Sequence, residues 1–335
     1  MTIPRSRILG TGHYLPPNVR TNHDLEKMVD TSDAWITERT GIKERRIAPP
    51  EIVTSDMATA AGKAALQAAG LAATDLDMII VGTVTPDMPM PATAAFVQQK
   101  LGAGNCPSFD LSAACAGFVY GLSIADQFIR TGAMKNVLVV GVELLSRVID
   151  WEDRTTCVLF GDGAGAVVLG PTDGAGEKPR GLLSTAIHTD GSLAPSLWIP
   201  GGGSVNPASH EVIDQRLHKV HMKGQDIFKV AVRNLASACK NALDVAGLSH
   251  EDIDWVCAHQ ANLRIIKQVV SRLEVPTENE EKVLVNIERV GNTSSASIPI
   301  LLDENVRAGK IKAGDTVLMC ALGAGISWGS ALVRM

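Results

Sequence analysis

This 335-residue sequence encodes an α/β protein made of two duplicated halves. Three features say so: a segment that recurs at a fixed offset, short wholly apolar runs between helix-forming stretches, and a composition of 31 Gly against five Trp, two Tyr and six Phe. The recurrence decides it, because a duplicated unit buries its open sheet face against its twin. Ala65–Asp77 aligns with Ala242–Asp254 at an offset of 177, and seven of the thirteen positions are identical. Many glycines and few rings suit tight turns and small-residue packing between layers.

In chain order, the first copy ends a helix at Gly70 and its twin at Gly247, glycine being the residue that tolerates a left-handed C-cap. Strands follow at Met78–Val81 and Trp255–Ala258, apolar throughout like strands buried on both faces of a parallel sheet. A helix is predicted after Cys115, with Phe118, Leu122, Ala125 and Ile129 on one face. The offset recurs beyond it: Arg130–Lys135 matches Arg307–Lys312, each ahead of a strand, at Val137–Val140 and Val317–Cys320. A third echo pairs Gly163-Ala-Gly165 with Gly323-Ala-Gly325, each expected to open a final strand. The halves are set at residues 1–172 and 173–335, joined in the polar stretch Pro171–Arg180. Gly191–Ser209, with Gly201-Gly-Gly-Ser204 at its centre, reads either as a long surface loop near a binding site or as a plain connection.

A formal net charge of −5 argues against a dedicated nucleic-acid binder. The opening residues show no charged region followed by a cleavable apolar stretch, so no export signal is expected. Thr316–Val333 runs 18 residues without a charge but contains Gly323, Gly325 and Gly329. A β-turn-β hairpin fits it better than a membrane span, and no membrane association is expected. The six cysteines, at 106, 115, 157, 239, 257 and 320, have neither zinc-ligand spacing nor the density of a disulfide scaffold. The cytoplasm is the expected location.

Cys115 lies in Leu111-Ser-Ala-Ala-Cys-Ala-Gly117, at the start of the predicted helix. A thiol there feels the positive end of the helix dipole, which lowers its pKa. A small buried residue among alanines is the alternative reading. His259 follows an apolar strand in Cys257-Ala-His-Gln-Ala-Asn262, at the carboxyl edge where open α/β sheets bind ligands. Its counterpart in the first half is Gly82, so the second half has gained a functional side chain there. The offset carries Cys115 onto Asn292, in Val290-Gly-Asn-Thr-Ser-Ser-Ala-Ser297, and the two are expected to be pseudo-symmetric. An ordinary helix N-cap is the plainer reading of Asn292. Together, Cys, His and Asn can serve as a nucleophile and two donors that stabilise an oxyanion. Gly10-Thr-Gly12 lacks the third glycine of a dinucleotide loop. Gly161-Asp-Gly-Ala-Gly165 lacks the Lys-Ser/Thr of a phosphate loop and reads as a structural turn beside the site, while Cys106 and Cys157 read as core.

These residues resemble the thiolase-fold condensing enzymes, specifically β-ketoacyl-acyl carrier protein synthase III, over essentially the whole chain. The likeness rests on Thr31-Ser-Asp-Ala-Trp-Ile-Thr-Glu-Arg-Thr-Gly41, Ala113-Ala-Cys-Ala-Gly117, Phe160-Gly-Asp-Gly-Ala-Gly165, His259-Gln-Ala-Asn262, Gly291-Asn-Thr-Ser294 and Trp328-Gly-Ser-Ala-Leu-Val-Arg334. It implies a thiolase-like five-layered αβαβα fold, a homodimer, and no cofactor, acyl-CoA being a substrate. It also implies an initiating step of fatty acid synthesis. Cys115 takes the acyl group of an acyl-CoA; malonyl-acyl carrier protein then loses CO2 and attacks the acyl-cysteine, giving 3-oxoacyl-acyl carrier protein. His259 and Asn292 would hold the malonyl thioester oxygen, and backbone N–H groups of Cys115 and Ala324 the oxyanion of the acyl-enzyme. By the same likeness Trp35, Arg39 and Arg154 contact the adenine end of coenzyme A, and Gly224, Phe228 and Asn262 line its pantetheine tunnel. Without it, Trp35 is a surface anchor, the two arginines are solvated charges and Phe228 is core.

The carrier protein is acidic in most organisms, so the resemblance implies a basic docking patch. Residues 216–272 hold nine Lys/Arg against five Asp/Glu; Lys229, Arg233 and Lys240 share one helical face, and Arg264 and Lys267 follow His259. A solvated helix face is the alternative. Met90 stands where relatives carry an aromatic residue that caps the partner subunit's acyl pocket, and Leu322 replaces another bulky ring. An acyl pocket with Met90 and Leu322 at its walls is expected to lengthen for primers beyond acetyl. The segment 171–222 is also longer than in compact relatives. The rival readings are a Cys-His-Asn thiol hydrolase with His259 as general base, a condensing enzyme of secondary metabolism with a longer or unusual starter, and a non-catalytic scaffold.

Overall fold

The computed structural model describes residues 5–172, 180–273 and 281–335. Strands β1 (Ser6–Tyr14), β2 (Met78–Gly82), β3 (Ser108–Leu111), β4 (Val137–Glu143) and β5 (Gly163–Pro171) form one sheet in the order β1-β5-β4-β2-β3. Strands β6 (Gly181–Thr189), β7 (Trp255–Ala258), β8 (Thr316–Gly323) and β9 (Ser327–Arg334) form a second, in the order β7-β8-β9-β6. In the first sheet β2 runs parallel to β4 and β4 antiparallel to β5; β7, β8 and β9 repeat the pattern in the second. Where β2 pairs with β3, the second sheet keeps an isolated parallel bridge, Val256 to Val283. The uncharged stretch 316–333 is a hairpin, as expected, and no helix among the described residues is long and apolar enough to cross a membrane.

The layering helices are α1 (Thr54–Ala69), α2 (Gly117–Arg130), α3 (Gly224–Ala246), α4 (Leu263–Arg272) and α5 (Ser297–Arg307). Alternate residues of each central strand feed different cores, as the period of two requires. Ile80, Val137 and Val139 join Phe118, Leu122 and Ile129 of α2 and Val317 and Met319 of the second sheet in a core between the sheets. Ile79, Leu138 and Val140 pack outward on α1, while Leu318, Cys320 and Leu332 pack outward with α3 and α4. The result is αβαβα, with α2 and α5 in the middle. Full burial of side chains such as Phe118, Leu122 and Ile129 contributes roughly 1.5–3 kcal/mol each. Both repeated helices, α1 and α3, end as their sequences predict, at left-handed Gly70 and Gly247, φ 67° in each.

Two expectations need correction. Helix α2 is preceded by a turn, Ala114–Ala116, entered through Ala114 at φ 46°; α5 is preceded by Ser294–Ala296, entered through Ser294 at φ 50°. The counterpart of Cys115 is therefore Ser295, not Asn292. The offset grows to 180 at this turn and returns to 177 at Arg307, because α5 has 11 residues against 14 in α2. Ser295 Oγ donates to Gly82 O at 2.8 Å, so the counterparts of Cys115 and His259 touch across the two halves. The third echo also fails. Gly163 opens β5, but Gly323 closes β8 and pairs across a tight turn with Ser327, where β9 starts. The expected join at 172/173 falls on 173–179, outside the described residues.

Candidate active site

Turns from both halves meet at the feet of the central helices. Gly323 lets them close: a Cβ there would stand 2.5 Å from the Cys115 nitrogen. The left-handed Ala114 is strain of the kind that surrounding structure must hold in place. Cys115 is 7% exposed, and burial pushes its thiol up to about 12; a bond from Ser294 opposes this and the Glu143 carboxyl adds to it. The expected lowering by the helix dipole is thus outweighed, because a desolvated thiolate loses more than the dipole returns. Resting Cys115 is a thiol and needs a proton acceptor to react.

His259 leaves the end of β7 with its N–H bonded to Cys320 O at 2.8 Å. Its Nδ1 lies 3.0 Å from Ser297 Oγ, which accepts the Gln260 N–H at 2.7 Å. The Ser297 hydroxyl proton can then be donated to Nδ1, which leaves the proton of the neutral ring on Nε2. Nε2 is buried without a partner, and burial lowers the ring pKa to about 3. His259 is a neutral donor awaiting an acceptor. Asn292 is locked through its backbone to Leu159 O and Gly161 N, and its Oδ1 accepts the Ser294 N–H at 2.9 Å. That bond commits the carbonyl side and leaves the NH2 group to donate.

Cys115, His259 and Asn292 line one cavity of about 130 Å³, whose walls include Gly224, Phe228, Asn262 and Leu322. Cys115 also lines a second, apolar cavity of about 210 Å³, together with Leu145, Phe160, Trp198, Ile199, Val220, Ser294 and Ala324. Leu197, Trp198 and Ile199 of the stretch Gly191–Ser209 line this cavity, and the stretch is pinned by the short pairing of Leu197–Trp198 with His221–Met222. Leu322 belongs to the first cavity rather than to the apolar one. Met90 lines neither and is 84% exposed. The Gly161–Gly165 segment is not the turn expected but the entry to β5, which starts at Gly163; the buried Asp162 carboxyl just before it accepts from Ala48 N, Ser146 N and Ser146 Oγ. Cys157 is core as expected, while Cys106 is only half-buried at the edge of one.

The half-buried Trp35 ring is flanked by Arg39 and Arg154, whose guanidinium carbons stand 4.7 and 5.5 Å from its centroid. Asn262 caps α4 by accepting the Arg264 N–H and donates to Arg39 O at 3.0 Å, tying the cavity wall to the helix that carries Trp35. Arg264 lies over Phe228, and Lys229, Arg233, Lys240, Arg264 and Lys267 are exposed on α3 and α4 beside the cavity.

The family model for the 3-oxoacyl-[acyl-carrier-protein (ACP)] synthase III C terminal matches residues 243–335, and that for 3-oxoacyl-[acyl-carrier-protein (ACP)] synthase III matches 109–191. A β-ketoacyl-[acyl-carrier-protein] synthase III from Caldanaerobacter subterraneus is 54% identical over 327 residues, covering 98% of this chain and 97% of that protein. The chain belongs to the β-ketoacyl-[acyl-carrier-protein] synthase III family. Among solved synthase III structures, that from Aquifex aeolicus matches with a TM-score of 0.89 and 49% identity, covering 98% of this chain and all of that one. The priming β-ketosynthase of the R1128 polyketide pathway matches with a TM-score of 0.90 and 38% identity, over 98% and 96%. Synthase III membership bears out the family and fold read from the motifs.

Proposed function

We propose that this chain is the initiating condensing enzyme of fatty acid synthesis, joining an acyl-CoA primer to malonyl-acyl carrier protein through an acyl-Cys115 intermediate. The observation that carries the reading is the neutral His259, its buried Nε2 unpartnered, beside the Asn292 amide and Cys115 in one cavity. Cys115 Sγ attacks the primer thioester while its carbonyl oxygen rests on the N–H groups of Cys115 and Ala324. Coenzyme A leaves along Phe228, Asn262 and Gly224, with its adenine near Trp35, Arg39 and Arg154. The malonyl thioester oxygen then accepts from His259 and Asn292. Decarboxylation places the electron pair of the lost CO2 on that oxygen as an enolate, where two preorganised donors stabilise it most. The basic surface of α3 and α4, with Lys229, Arg233, Arg264 and Lys267, suits an acidic carrier protein.

A hydrolase scheme needs His259 as a base oriented by Asn292. The ring instead faces Ser297 and is too weak a base near neutral pH. The apolar cavity supports a primer longer than acetyl, since a cavity of about 150 Å³ already holds benzene. That volume also suits a starter of secondary metabolism. Met90, exposed on its loop, is placed in this reading at the acyl pocket of a homodimer partner. Release of CO2 from malonyl-acyl carrier protein, measured with and without an acyl-CoA primer, tests the proposal; hydrolysis of the primer without condensation would refute it.

A further inference from the structure

The mechanism leaves one proton unassigned. Cys115 rests as a thiol, and His259 and Asn292 are committed as donors. Glu143, the last residue of β4, is fully buried within reach of this site. Four donors converge on its carboxyl: Thr85 Oγ1 at 2.7 Å, Val84 N at 3.1 Å, Ser294 Oγ at 3.2 Å and Thr83 Oγ1 at 3.3 Å. All four partners are neutral, and each donates, so the shell is built for the ionised form. Thr85 Oγ1 in turn accepts the Leu144 N–H, and Thr83 Oγ1 the Thr85 N–H, which leaves each hydroxyl its proton to donate. Ser294 also bonds the Cys115 thiol, both line the apolar cavity, and Ser294 is the strained residue of its turn. A carboxylate beside a nucleophilic thiol makes its ionisation harder unless it is where the proton goes.

We propose that Glu143, acting through the Ser294 hydroxyl, takes the Cys115 proton when the thiol attacks and stores it for the lifetime of the acyl-enzyme. The inference rests on the acyl-transfer reading above. In the first half-reaction the S–H proton passes to Ser294 Oγ as the Ser294 proton passes to Glu143. The Sγ–carbonyl bond forms, the carbonyl–sulfur bond of the primer breaks, and coenzyme A leaves as a thiolate that takes a proton from water. In the second, the decarboxylated malonyl carbon displaces Cys115 as thiolate, and Glu143 returns the stored proton through Ser294. One proton from solvent is consumed per cycle, on coenzyme A. Burial raises the Glu143 carboxyl to about 7, against the bonds from Thr85, Val84, Ser295 and Ser294. Cys115 faces it from the turn before α2; Asp87, Arg147 and His218 line the cavity beyond Thr85 and Leu144. Below that pH the carboxyl already holds a proton and cannot accept another, so self-acylation falls as pH drops through about 7.

The test is the rate of Cys115 alkylation by iodoacetamide, located by peptide mass, beside acyl uptake from acyl-CoA, both from about pH 5 to 9. Wild type should show an inflection near 7 in both. Ser294→Ala and Glu143→Gln should lose it and slow on the order of 100-fold at neutral pH, with Glu143→Asp restoring part of the rate. Should Glu143→Gln fail to fold, Ser294→Ala decides alone. A Ser294→Ala profile equal to wild type overturns the relay. Wild type that alkylates with the inflection but takes no acyl group overturns the functional reading and leaves the relay standing.

Discussion

Ser297 decides what His259 can do. One hydroxyl accepts the Gln260 N–H and meets the imidazole, so the ring's proton is held on the nitrogen that faces the cavity. Replacing either donor side chain, in His259→Ala or Asn292→Ala, should lower malonyl decarboxylation by about 3–4 kcal/mol, or two to three orders of magnitude. Both variants should still gain an acyl group at Cys115, which intact mass reads directly; loss of acylation as deep as in Cys115→Ser would favour the hydrolase scheme. Ser297→Ala should cut decarboxylation on the order of tenfold while sparing acylation. It should also lower stability by about 1–3 kcal/mol, the cost of a stranded Gln260 N–H, with Ser297→Thr recovering part of both. Cys115 and His259 were legible because each stands out beside apolar residues, whereas Asn292, in a polar run, was reached through the family motif and an offset that the structure corrects. Ser297 stands in a segment the sequence singles out, yet its contact lies 38 residues away and no local pattern encodes it. The thiol's pKa was misread for the same reason: a helix start is visible in a sequence, and desolvation is not.

At the scale of elements, the duplication survives in how the central helices grip β1. Asp303 of α5 accepts from Thr11 Oγ1 at 2.6 Å, His13 Nδ1 at 2.5 Å and Arg307 Nε at 2.7 Å. Its twin Asp126 of α2 accepts from Ser6 N and Ser6 Oγ, with Arg130 one turn on. Burial alone would raise the Asp303 carboxyl; the bonds from His13, Thr11 and Arg307 outweigh it and hold the group below the ordinary range. Its contribution is therefore complete above the unfolded pKa of about 4 and is lost as pH falls through the lowered native value. Asp303→Asn should cost about 1–3 kcal/mol at neutral pH and flatten the acid side of the stability curve. Urea unfolding at several pH values measures both, and an unchanged acid limb would refute the clamp. Strands and glycine caps were legible because buried runs and left-handed turns leave local marks. The glycine triplets at 163 and 323 misled because composition repeats without topology, one opening a strand and the other closing one.

For the whole molecule, both halves must be present for either cavity to exist, since Cys115 and Phe160 come from one and His259, Asn292 and Ala324 from the other. In the homodimer proposed above, the exposed Met90 would extend this dependence to a second copy of the chain. Each further methylene buried in the apolar cavity is worth about 0.8 kcal/mol, whereas a rigid ring at its end would turn that gain into overpacking of typically 1–3 kcal/mol. Met90→Phe should therefore shift the primer preference toward acetyl-CoA without harming malonyl decarboxylation. A wild type that already favours acetyl-CoA tenfold or more over C4 and branched C5 primers would contradict the open pocket. The most direct measurement is the intact mass of the protein after incubation with acyl-CoAs of increasing length. The prediction is a gain of one acyl group in wild type and none in Cys115→Ser; acylation that persists in Cys115→Ser, carried by Cys106 or Cys157, would contradict the assignment of the nucleophile.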